Sequence, residues 1–306
     1  ENMKKLYGVT AAMITPFQKD GEVDLNGMRQ LTRMLVDKGI HCLYPCGTTG
    51  EMLRLSMEER MSIAECVVKE AGKRVPVFIH CGAMRQEETI ALIKHACRIG
   101  ADGAGVVTPQ FFKASDGELI AYYEAAAEAA GDFPIYLYNI PQCSGNDISA
   151  ETAKEIAEHC PNVVGIKYSF ADINRTIDYL KIQNRQFSVL HGCDRAMLGM
   201  LSLGCAGTVS GIAGVFPEPF VEAYGLYKQG RLTEAKKVQN LCIEFCDTLQ
   251  CGSNMSYFKT ALKLRGIEAG FMRKPQLNLD EAETRRLKEK LEILCSIGGF
   301  DLKISQ

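Results

Sequence analysis

The segment Asn162-Val163-Val164-Gly165-Ile166-Lys167-Tyr168-Ser169 places one lysine at the end of a short apolar run. Such a run is typical of a buried parallel strand. In a barrel enzyme, the C-terminal end of a strand is where the chemistry is found. Burial lowers the pKa of an amine, which makes a lysine a nucleophile toward carbonyl groups. Considered alone, Lys167 fits a catalytic amine and a solvated strand end equally well.

Similar apolar segments recur along the chain, and each is followed by a segment with helical spacing. The predicted strands cover residues 8–17, 42–46, 75–81, 103–107, 134–138, 162–167, 187–190 and 206–210. Strands alternating with helices at a period of roughly 30 residues predict an α/β fold, the (β/α)8 TIM barrel. A doubly wound open sheet is the competing interpretation. It usually has fewer units, and no GxGxxG follows the first strand.

Helix signals support this alternation. Asp24 is a plausible N-cap, Ser56 and Glu59 form a capping-box pattern, and Asp116 and Asp172 each stand where a helix should begin. After the eighth strand only helical patterns follow, over residues 232–249, 256–264 and 280–294. We therefore predict a barrel catalytic domain over residues 1–228 and a C-terminal helical extension over residues 229–306.

Composition narrows the class of protein. With 35 Lys and Arg against 37 Asp and Glu, the chain has no global basic field for nucleic acid. It has neither a long apolar run nor a signal-peptide pattern, so we expect a soluble, cytoplasmic protein with no membrane partner. The 13 cysteines are odd in number and scattered, which favours buried, reduced thiols over disulfides or zinc. The histidines show no metal-binding spacing, and we expect neither a metal nor a cofactor.

If the barrel prediction holds, the strand ends select candidate site residues. Strand two runs into Thr48 and Thr49, strand five ends in Tyr138, and strand eight contains Val209. Adjacent threonines after a glycine can present hydroxyl and N–H groups to a carboxylate, although Gly-Thr-Thr-Gly is also an ordinary tight turn. A phenol in a hydrogen-bonded chain can transfer protons, although Tyr138 is equally a common kind of barrel-wall residue.

A lysine, a tyrosine and paired threonines at three strand ends suggest one chemistry. The amine condenses with a ketone to form a Schiff base. The Schiff base then acts as an electron sink for breaking or making the adjacent carbon–carbon bond.

The chain also resembles a known group of enzymes along nearly its whole length. The shared motifs are 8–17, Gly47-Thr48-Thr49-Gly50-Glu51, Tyr138-Asn139-Ile140-Pro141, Gly165-Ile166-Lys167, Phe258-Lys259 and Arg273-Lys274-Pro275. They are similar to those of the dihydrodipicolinate synthase / N-acetylneuraminate lyase superfamily of pyruvate-dependent class I aldolases. The family fold is a barrel with C-terminal helices, usually assembled as a homotetramer, a dimer of dimers.

The resemblance implies a role for each candidate. Lys167 would form the imine with pyruvate and Tyr138 would relay protons. Thr48 and Thr49 would hold the pyruvate carboxylate, which places Thr49 among the catalytic residues. The backbone of Val209 would line the same pocket. The expected partners are pyruvate and an aldehyde.

Departures from the family patterns concern the second substrate. Dihydrodipicolinate synthases typically carry an arginine where this chain has Cys143, and a thiol cannot replace a bidentate guanidinium. Sialate lyases usually have Asp-Glu where this chain has Asp194 and Arg195. That arginine suggests a shorter, acidic acceptor or is equally an outward-facing residue. Ser169 keeps a hydroxyl where the lyases carry a threonine.

A further departure concerns the segment after strand four. The family often has tyrosines there, one of which reaches into the neighbouring subunit's site. This chain has Phe111 and Phe112, so the phenol relay across the interface is predicted to be incomplete.

These features predict a Schiff-base pyruvate aldolase or lyase that acts on a 2-oxo-3-deoxy sugar acid or a related acid, similar to N-acetylneuraminate lyase. One alternative is dihydrodipicolinate (4-hydroxy-tetrahydrodipicolinate) synthase, which condenses pyruvate with aspartate semialdehyde. An alternative of another class is a barrel that binds a 2-oxo acid without catalysis.

Overall fold

The computed structural model describes residues 3–304, which contain eight β-strands. Every strand residue is buried, as expected for strands covered on both faces of a parallel sheet. The strands are β1 (Gly8–Ala12), β2 (Cys42–Tyr44), β3 (Phe78–His80), β4 (Gly103–Val107), β5 (Ile135–Asn139), β6 (Val163–Tyr168), β7 (Ser188–His191) and β8 (Gly207–Ser210).

The described residues also contain twelve α-helices, which alternate with the strands or follow the last strand. They are α1 (Leu25–Asp37), α2 (Met57–Ala71), α3 (Gln86–Arg98), α4 (Asp116–Ala130), α5 (Pro141–Ser144), α6 (Ala150–His159), α7 (Ile173–Lys181), α8 (Met197–Leu203), α9 (Pro217–Lys228), α10 (Leu232–Thr248), α11 (Met255–Leu264) and α12 (Glu281–Gly298). Among residues 3–304, no helix is both long enough and apolar enough to cross a membrane.

The strands form one eight-stranded sheet in the order β2-β1-β8-β7-β6-β5-β4-β3. The strand pairs with a described register are all parallel. Together with the alternating helices, this order defines a (β/α)8 TIM barrel followed by C-terminal helices. The predicted fold is confirmed.

The chain forms two compact units, each built from two segments. Of the described residues, the first unit comprises 3–8 and 76–209 and carries β3 to β7. The second comprises residues 9–75 and 210–304 and carries β2, α1, α2 and the helices from α9 onward. The division at residues 228 and 229 into barrel and extension stays a prediction.

Helix starts follow the capping signals in the sequence. Ser56 and Glu59 form the predicted capping box at α2, and Asp24 and Asp172 accept hydrogen bonds from backbone N–H groups at α1 and α7. At α4 the cap is Ser115, one residue before the predicted start at Asp116.

Strands β2 and β3 are shorter than predicted, and two further local features differ from the prediction. The first strand ends at Ala12 rather than at residue 17 because the chain leaves the sheet to contact other loops: the Thr15 hydroxyl donates to the Gly50 carbonyl, and Phe17 forms single bridges to Val23 and Gly270. The short helix α5 was not predicted. Pro141 begins it, and Gly145 ends it in the left-handed conformation.

Candidate active site

Lys167 and Tyr138 lie side by side in the first unit, on the adjacent strands β6 and β5. The strand register pairs the two residues directly, so their side chains leave the same face of the sheet. The Lys167 Nζ lies 4.1 Å from the centroid of the Tyr138 ring. Both side chains are buried. The two residues that the sequence selected separately are therefore one structural pair.

The buried Lys167 amine is chemically unusual. Burial lowers its pKa to about 7, and the negative charge of Asp194 opposes this shift only in part. Desolvation acts in this direction because a low-dielectric environment disfavours the charged ammonium form. A lysine of ordinary pKa is almost entirely protonated at neutral pH, whereas this one has a large unprotonated fraction. The unprotonated amine is the nucleophilic form.

Two buried histidines end the strands β3 and β7. The His80 ring contacts the Tyr138 ring edge-on at 5.8 Å, and its Nε2 accepts a hydrogen bond from the backbone N–H of Val107. The His191 Nδ1 accepts from the backbone N–H of Cys193, and burial lowers the pKa of His191 to about 4. The strand register pairs His191 with Tyr168, whose ring it contacts, so its side chain leaves the sheet on the face opposite to Lys167.

Ser169 follows directly after β6. Its backbone N–H donates to the Asn139 carbonyl, and its own carbonyl accepts from the Gln142 side chain at 2.6 Å. A Cβ atom at Gly192 would lie 2.2 Å from the Ser169 hydroxyl oxygen. Only a glycine at position 192 therefore leaves room for this hydroxyl.

The residues expected to select the second substrate lie on two short turns of the same unit. Asp194 and Arg195 form a 3-10 turn after β7; Asp194 is half-buried and acts electrostatically on Lys167, whereas Arg195 is exposed. Cys143 is an exposed residue of α5, and partial burial raises the pKa of its thiol. Cys143 is therefore mainly a neutral thiol at physiological pH.

A polar network that the sequence did not reveal holds the segment after Tyr138. The Asn139 side chain donates to Asp147 at 2.8 Å and to the Tyr179 hydroxyl at 2.9 Å. Arg175 donates to both carboxylate oxygens of Asp147, at 2.9 and 3.0 Å. These contacts join the end of β5 to α7 and fix both ends of the segment that contains Cys143. Only the Asn139 motif position gave any signal of them in the sequence.

In the second unit, residues 47–51 form a compact turn after β2, which we call the threonine turn. Thr48 and Thr49 are half-buried within it. The backbone N–H of Glu51 donates to the Thr48 carbonyl at 3.0 Å, and that of Met52 donates to the Gly47 carbonyl. The two threonines are therefore held by a defined backbone geometry, as the motif suggested.

The remaining predicted positions lie on regular or exposed elements. Val209 is a buried residue of β8, where its backbone belongs to the sheet. Phe111 and Phe112 follow β4 and remain 83% and 75% exposed, with their rings in edge-to-face contact. Within residues 3–304, no group of three or more His, Cys, Asp or Glu side chains is arranged to hold a metal ion.

A TIM barrel that buries a low-pKa lysine against a tyrosine of the next strand has the features of the aldolase and lyase class of enzymes. The chain belongs to the dihydrodipicolinate synthetase family, whose sequence profile matches residues 5–294. The protein is accordingly an enzyme, a lyase or aldolase of the dihydrodipicolinate synthase and N-acetylneuraminate lyase type. The resemblance drawn from the sequence motifs is confirmed.

Individual relatives cover almost the whole chain. An uncharacterized DapA-like lyase of Halobacterium salinarum is 35% identical over 94% of this chain and 93% of its own length. A 4-hydroxy-tetrahydrodipicolinate synthase of Methanospirillum hungatei is 34% identical over 93% of this chain and 98% of its own. The solved structure of YagE, a prophage protein of the same family from E. coli K12 in complex with pyruvate, superimposes with a TM-score of 0.90 at 29% identity, covering 95% of this chain and 99% of that one.

Proposed function

We propose that this protein is a Schiff-base-forming pyruvate aldolase or lyase that acts on a 2-oxo-3-deoxy sugar acid or a related acid. The observation that carries the proposal is the buried Lys167 amine, with a pKa of about 7, packed on Tyr138. Pyruvate bound to a family member of the same fold supports a 2-oxo acid as the ligand.

The chemistry follows from these two residues. The Lys167 amine attacks the ketone carbon of the substrate, and water leaves as the imine forms. With the carboxylate carbon as C1 and the imine carbon as C2, cleavage breaks the C3–C4 bond, and its electron pair forms the enamine. The hydroxyl on C4 gives its proton to the Tyr138 relay, and C4 leaves as the carbonyl carbon of the aldehyde. Protonation of the enamine carbon and hydrolysis of the imine release pyruvate and restore the free amine.

The carboxylate of the 2-oxo acid needs its own recognition. We assign it to Thr48 and Thr49, since two hydroxyls and neighbouring backbone N–H groups suit a carboxylate. Val209 contributes its backbone to the same subsite. The support for these roles is the match to the family motif and the position of both elements after or within barrel strands.

The second substrate is selected by residues that differ from those of the synthases. Cys143 is neutral and cannot bind a carboxylate in a bidentate manner as a guanidinium does. Asp194 offers a carboxylate and Ser169 a hydroxyl to a polyhydroxylated substrate. Arg195 adds a positive charge that suits a short acidic substrate. These features favour a sugar acid or similar acid over aspartate semialdehyde.

The alternative is 4-hydroxy-tetrahydrodipicolinate synthase, and the name of the Methanospirillum hungatei relative favours it. Steady-state assays separate the two activities. We expect release of pyruvate from a panel of 2-oxo-3-deoxy sugar acids and no condensation of pyruvate with aspartate semialdehyde. Condensation at a higher kcat/KM than any cleavage reaction would reverse the assignment.

A barrel that binds a 2-oxo acid without catalysis is the remaining alternative, favoured only by Phe111 and Phe112 in place of the family tyrosines. Such a protein would form the Lys167 imine without turnover on any acceptor. Exchange of the pyruvate methyl protons with deuterium in heavy water, followed by nuclear magnetic resonance, tests this, because it requires the enamine but no aldehyde. We expect exchange.

We further propose a homotetramer built as a dimer of dimers. Its support is the family resemblance together with the exposed, adjacent rings of Phe111 and Phe112 in the segment that contacts a neighbouring subunit in the family. Native mass spectrometry should give four times the chain mass. A monomer at micromolar concentration would contradict the proposal.

A further inference from the structure

Glu51 ends the threonine turn and forms a fully buried ion pair in the second unit. Its Oε2 lies 2.6 Å from the Nζ of Lys259 on α11, and both side chains are only 2% exposed. Its Oε1 accepts a hydrogen bond from Arg54 at 2.7 Å. Removing two charges from water is expensive, and the attraction between them offsets that cost only when the geometry is good. Such a pair therefore calls for a reason beyond fold stability.

The surroundings of Lys259 fix its position. Its Nζ lies 4.2 Å from the centroid of the Phe17 ring and also donates to the Phe271 carbonyl at 3.3 Å. The Arg273 guanidinium lies 4.3 Å from the same ring and is held in turn by Glu59. The motif residues Lys259 and Arg273 thus share one aromatic ring.

The backbone of Glu51 shows that this position is constrained. Its φ of 59° lies in the left-handed region, which is uncommon for residues other than glycine and costs of the order of 1 kcal/mol. The bend directs the carboxylate to Lys259 and the backbone N–H to the Thr48 carbonyl. The Thr15 hydroxyl donates to the Gly50 carbonyl beside it. Glu51 is therefore an anchor of the turn rather than a surface residue.

Thr49 is enclosed from another direction within the same unit. A Cβ atom at Gly211 would lie 3.0 Å from the Thr49 hydroxyl oxygen and 2.9 Å from the ring of Phe258. Phe258 precedes Lys259 on α11. The same helical turn thus contributes Phe258 to the packing near Thr49 and Lys259 to the ion pair with Glu51.

We propose that Glu51 and Lys259 are positioning residues, which hold Thr48 and Thr49 in the geometry that binds the carboxylate of the 2-oxo acid. This inference rests on the proposed function, because it needs the threonine turn to be the carboxylate subsite. It gives the C-terminal motif Phe258-Lys259 a part in substrate recognition: α11 acts on the substrate through the turn and does not touch it.

The alternative is that the pair serves stability alone. A positioning role predicts a change in pyruvate affinity, because a displacement of about 1 Å in a binding group can cost up to about 10²-fold. A purely structural role predicts a lower melting temperature with unchanged pyruvate affinity. The two roles are therefore separated by measuring both quantities on the same variants.

The experiment measures the pyruvate concentration that gives half of the maximal borohydride-trapped adduct on Lys167. It also measures KM and kcat of the cleavage reaction that releases pyruvate. The variants are Glu51→Gln, Lys259→Met and the double variant of the full-length chain. We expect each single variant to raise the half-saturating concentration and KM by about tenfold, with a smaller change in kcat. The double variant should be no worse than the more affected single one, because both remove the same interaction.

The matched control is Glu218→Gln. Glu218 forms an ion pair with the fully buried Arg265 in the same unit, and Arg265 also donates to the Val215 carbonyl. This control should lower the melting temperature and leave pyruvate half-saturation within about twofold of the wild type. If Lys259→Met does not fold, Glu51→Gln decides, because it preserves shape and the hydrogen bond from Arg54.

Unchanged half-saturation in folded Glu51→Gln would overturn the positioning role, as would effects of the two single variants that multiply in the double variant. These outcomes leave the proposed function intact as long as the wild type forms an adduct on Lys167. Absence of the wild-type adduct at any pyruvate concentration would instead overturn the proposed function, and the positioning role with it.

Discussion

Burial of the Lys167 amine has a direct consequence for the pH dependence of imine formation. The amine is protonated and unreactive below its pKa and free above it. With a pKa of about 7, the initial rate of imine formation should rise through pH 6 to 8 and level off above that range. A lysine of ordinary pKa would have fewer than about one in a thousand amines free at pH 7. Borohydride quenching at short times measures this profile, and a rise continuing to pH 10 would contradict it.

Asp194 should affect the midpoint of the pH profile of imine formation. Its negative charge stabilises the protonated form of Lys167, so it raises the lysine pKa against the effect of burial. Asp194→Asn removes the charge at nearly constant volume and should move the midpoint to lower pH. A midpoint that stays in place or moves upward would show that Asp194 has no such effect. Asp178→Asn, a change at an exposed residue of α7, is the matched control.

Tyr138 should affect turnover far more than imine formation. Tyr138→Phe retains the ring that packs on Lys167 and removes the hydroxyl. A proton-transfer group typically contributes about 10²–10⁴-fold, so we expect kcat to fall by that factor while the trapped adduct remains. Stopped assays of pyruvate release together with intact mass measure both. Wild-type turnover in this variant would remove Tyr138 from the mechanism.

At the scale of residues, the positions of Lys167 and Tyr138 at strand ends could be predicted, because each follows a recognisable apolar run. The ion pair of Glu51 and Lys259 could not, because it joins positions far apart in the chain. The lowered pKa of Lys167 could only be anticipated in direction, since its value depends on the depth of burial and on the distance to Asp194.

At the scale of elements, β6 depends on a glycine two residues before the lysine. A Cβ atom at Gly165 would lie 2.1 Å from the Ser188 carbonyl oxygen and 2.7 Å from the Tyr136 ring. Gly165→Ala should therefore lower the free energy of unfolding by about 3 kcal/mol, at the upper end of overpacking costs. Urea denaturation measures this change.

Gly199 provides the control for that prediction. It lies within α8 of the same unit, and a Cβ atom there would meet nothing within 4 Å. Gly199→Ala should stabilise the protein by roughly 0.5–1 kcal/mol, because alanine loses less backbone freedom in a helix. Equal effects of the two substitutions would show that crowding at Gly165 is not the cause.

Elements with strong local signals could be predicted nearly to the residue. The capping box of Ser56 and Glu59 starts α2, and residues 103–107 form β4 as expected. The early end of β1 and the helix α5 could not be predicted. The early end of β1 goes with contacts to distant loops, such as the hydrogen bond from Thr15 to the Gly50 carbonyl. Helix α5 is a single short turn between Pro141 and Gly145 that is too brief for a periodic pattern.

At the scale of the whole molecule, the repeat of strands and helices was sufficient to predict the barrel, because few folds accommodate eight such units. The second substrate was not predictable to the same degree. Its contacts come from the turns that carry Cys143, Asp194 and Arg195, and such segments vary within a fold. A dihydrodipicolinate synthase and a protein solved in complex with mannosamine share this barrel, in agreement with the rule that a fold alone does not define an activity.

Imine formation between Lys167 and pyruvate underlies the whole proposed mechanism, and covalent trapping measures it without any second substrate. The protein is incubated with pyruvate and borohydride, its intact mass is measured, and the modified residue is mapped by peptide sequencing. We predict one reduced pyruvyl group per chain, located on Lys167 and absent from the Lys167→Ala variant. No adduct, or an adduct on any other lysine, would contradict the mechanism.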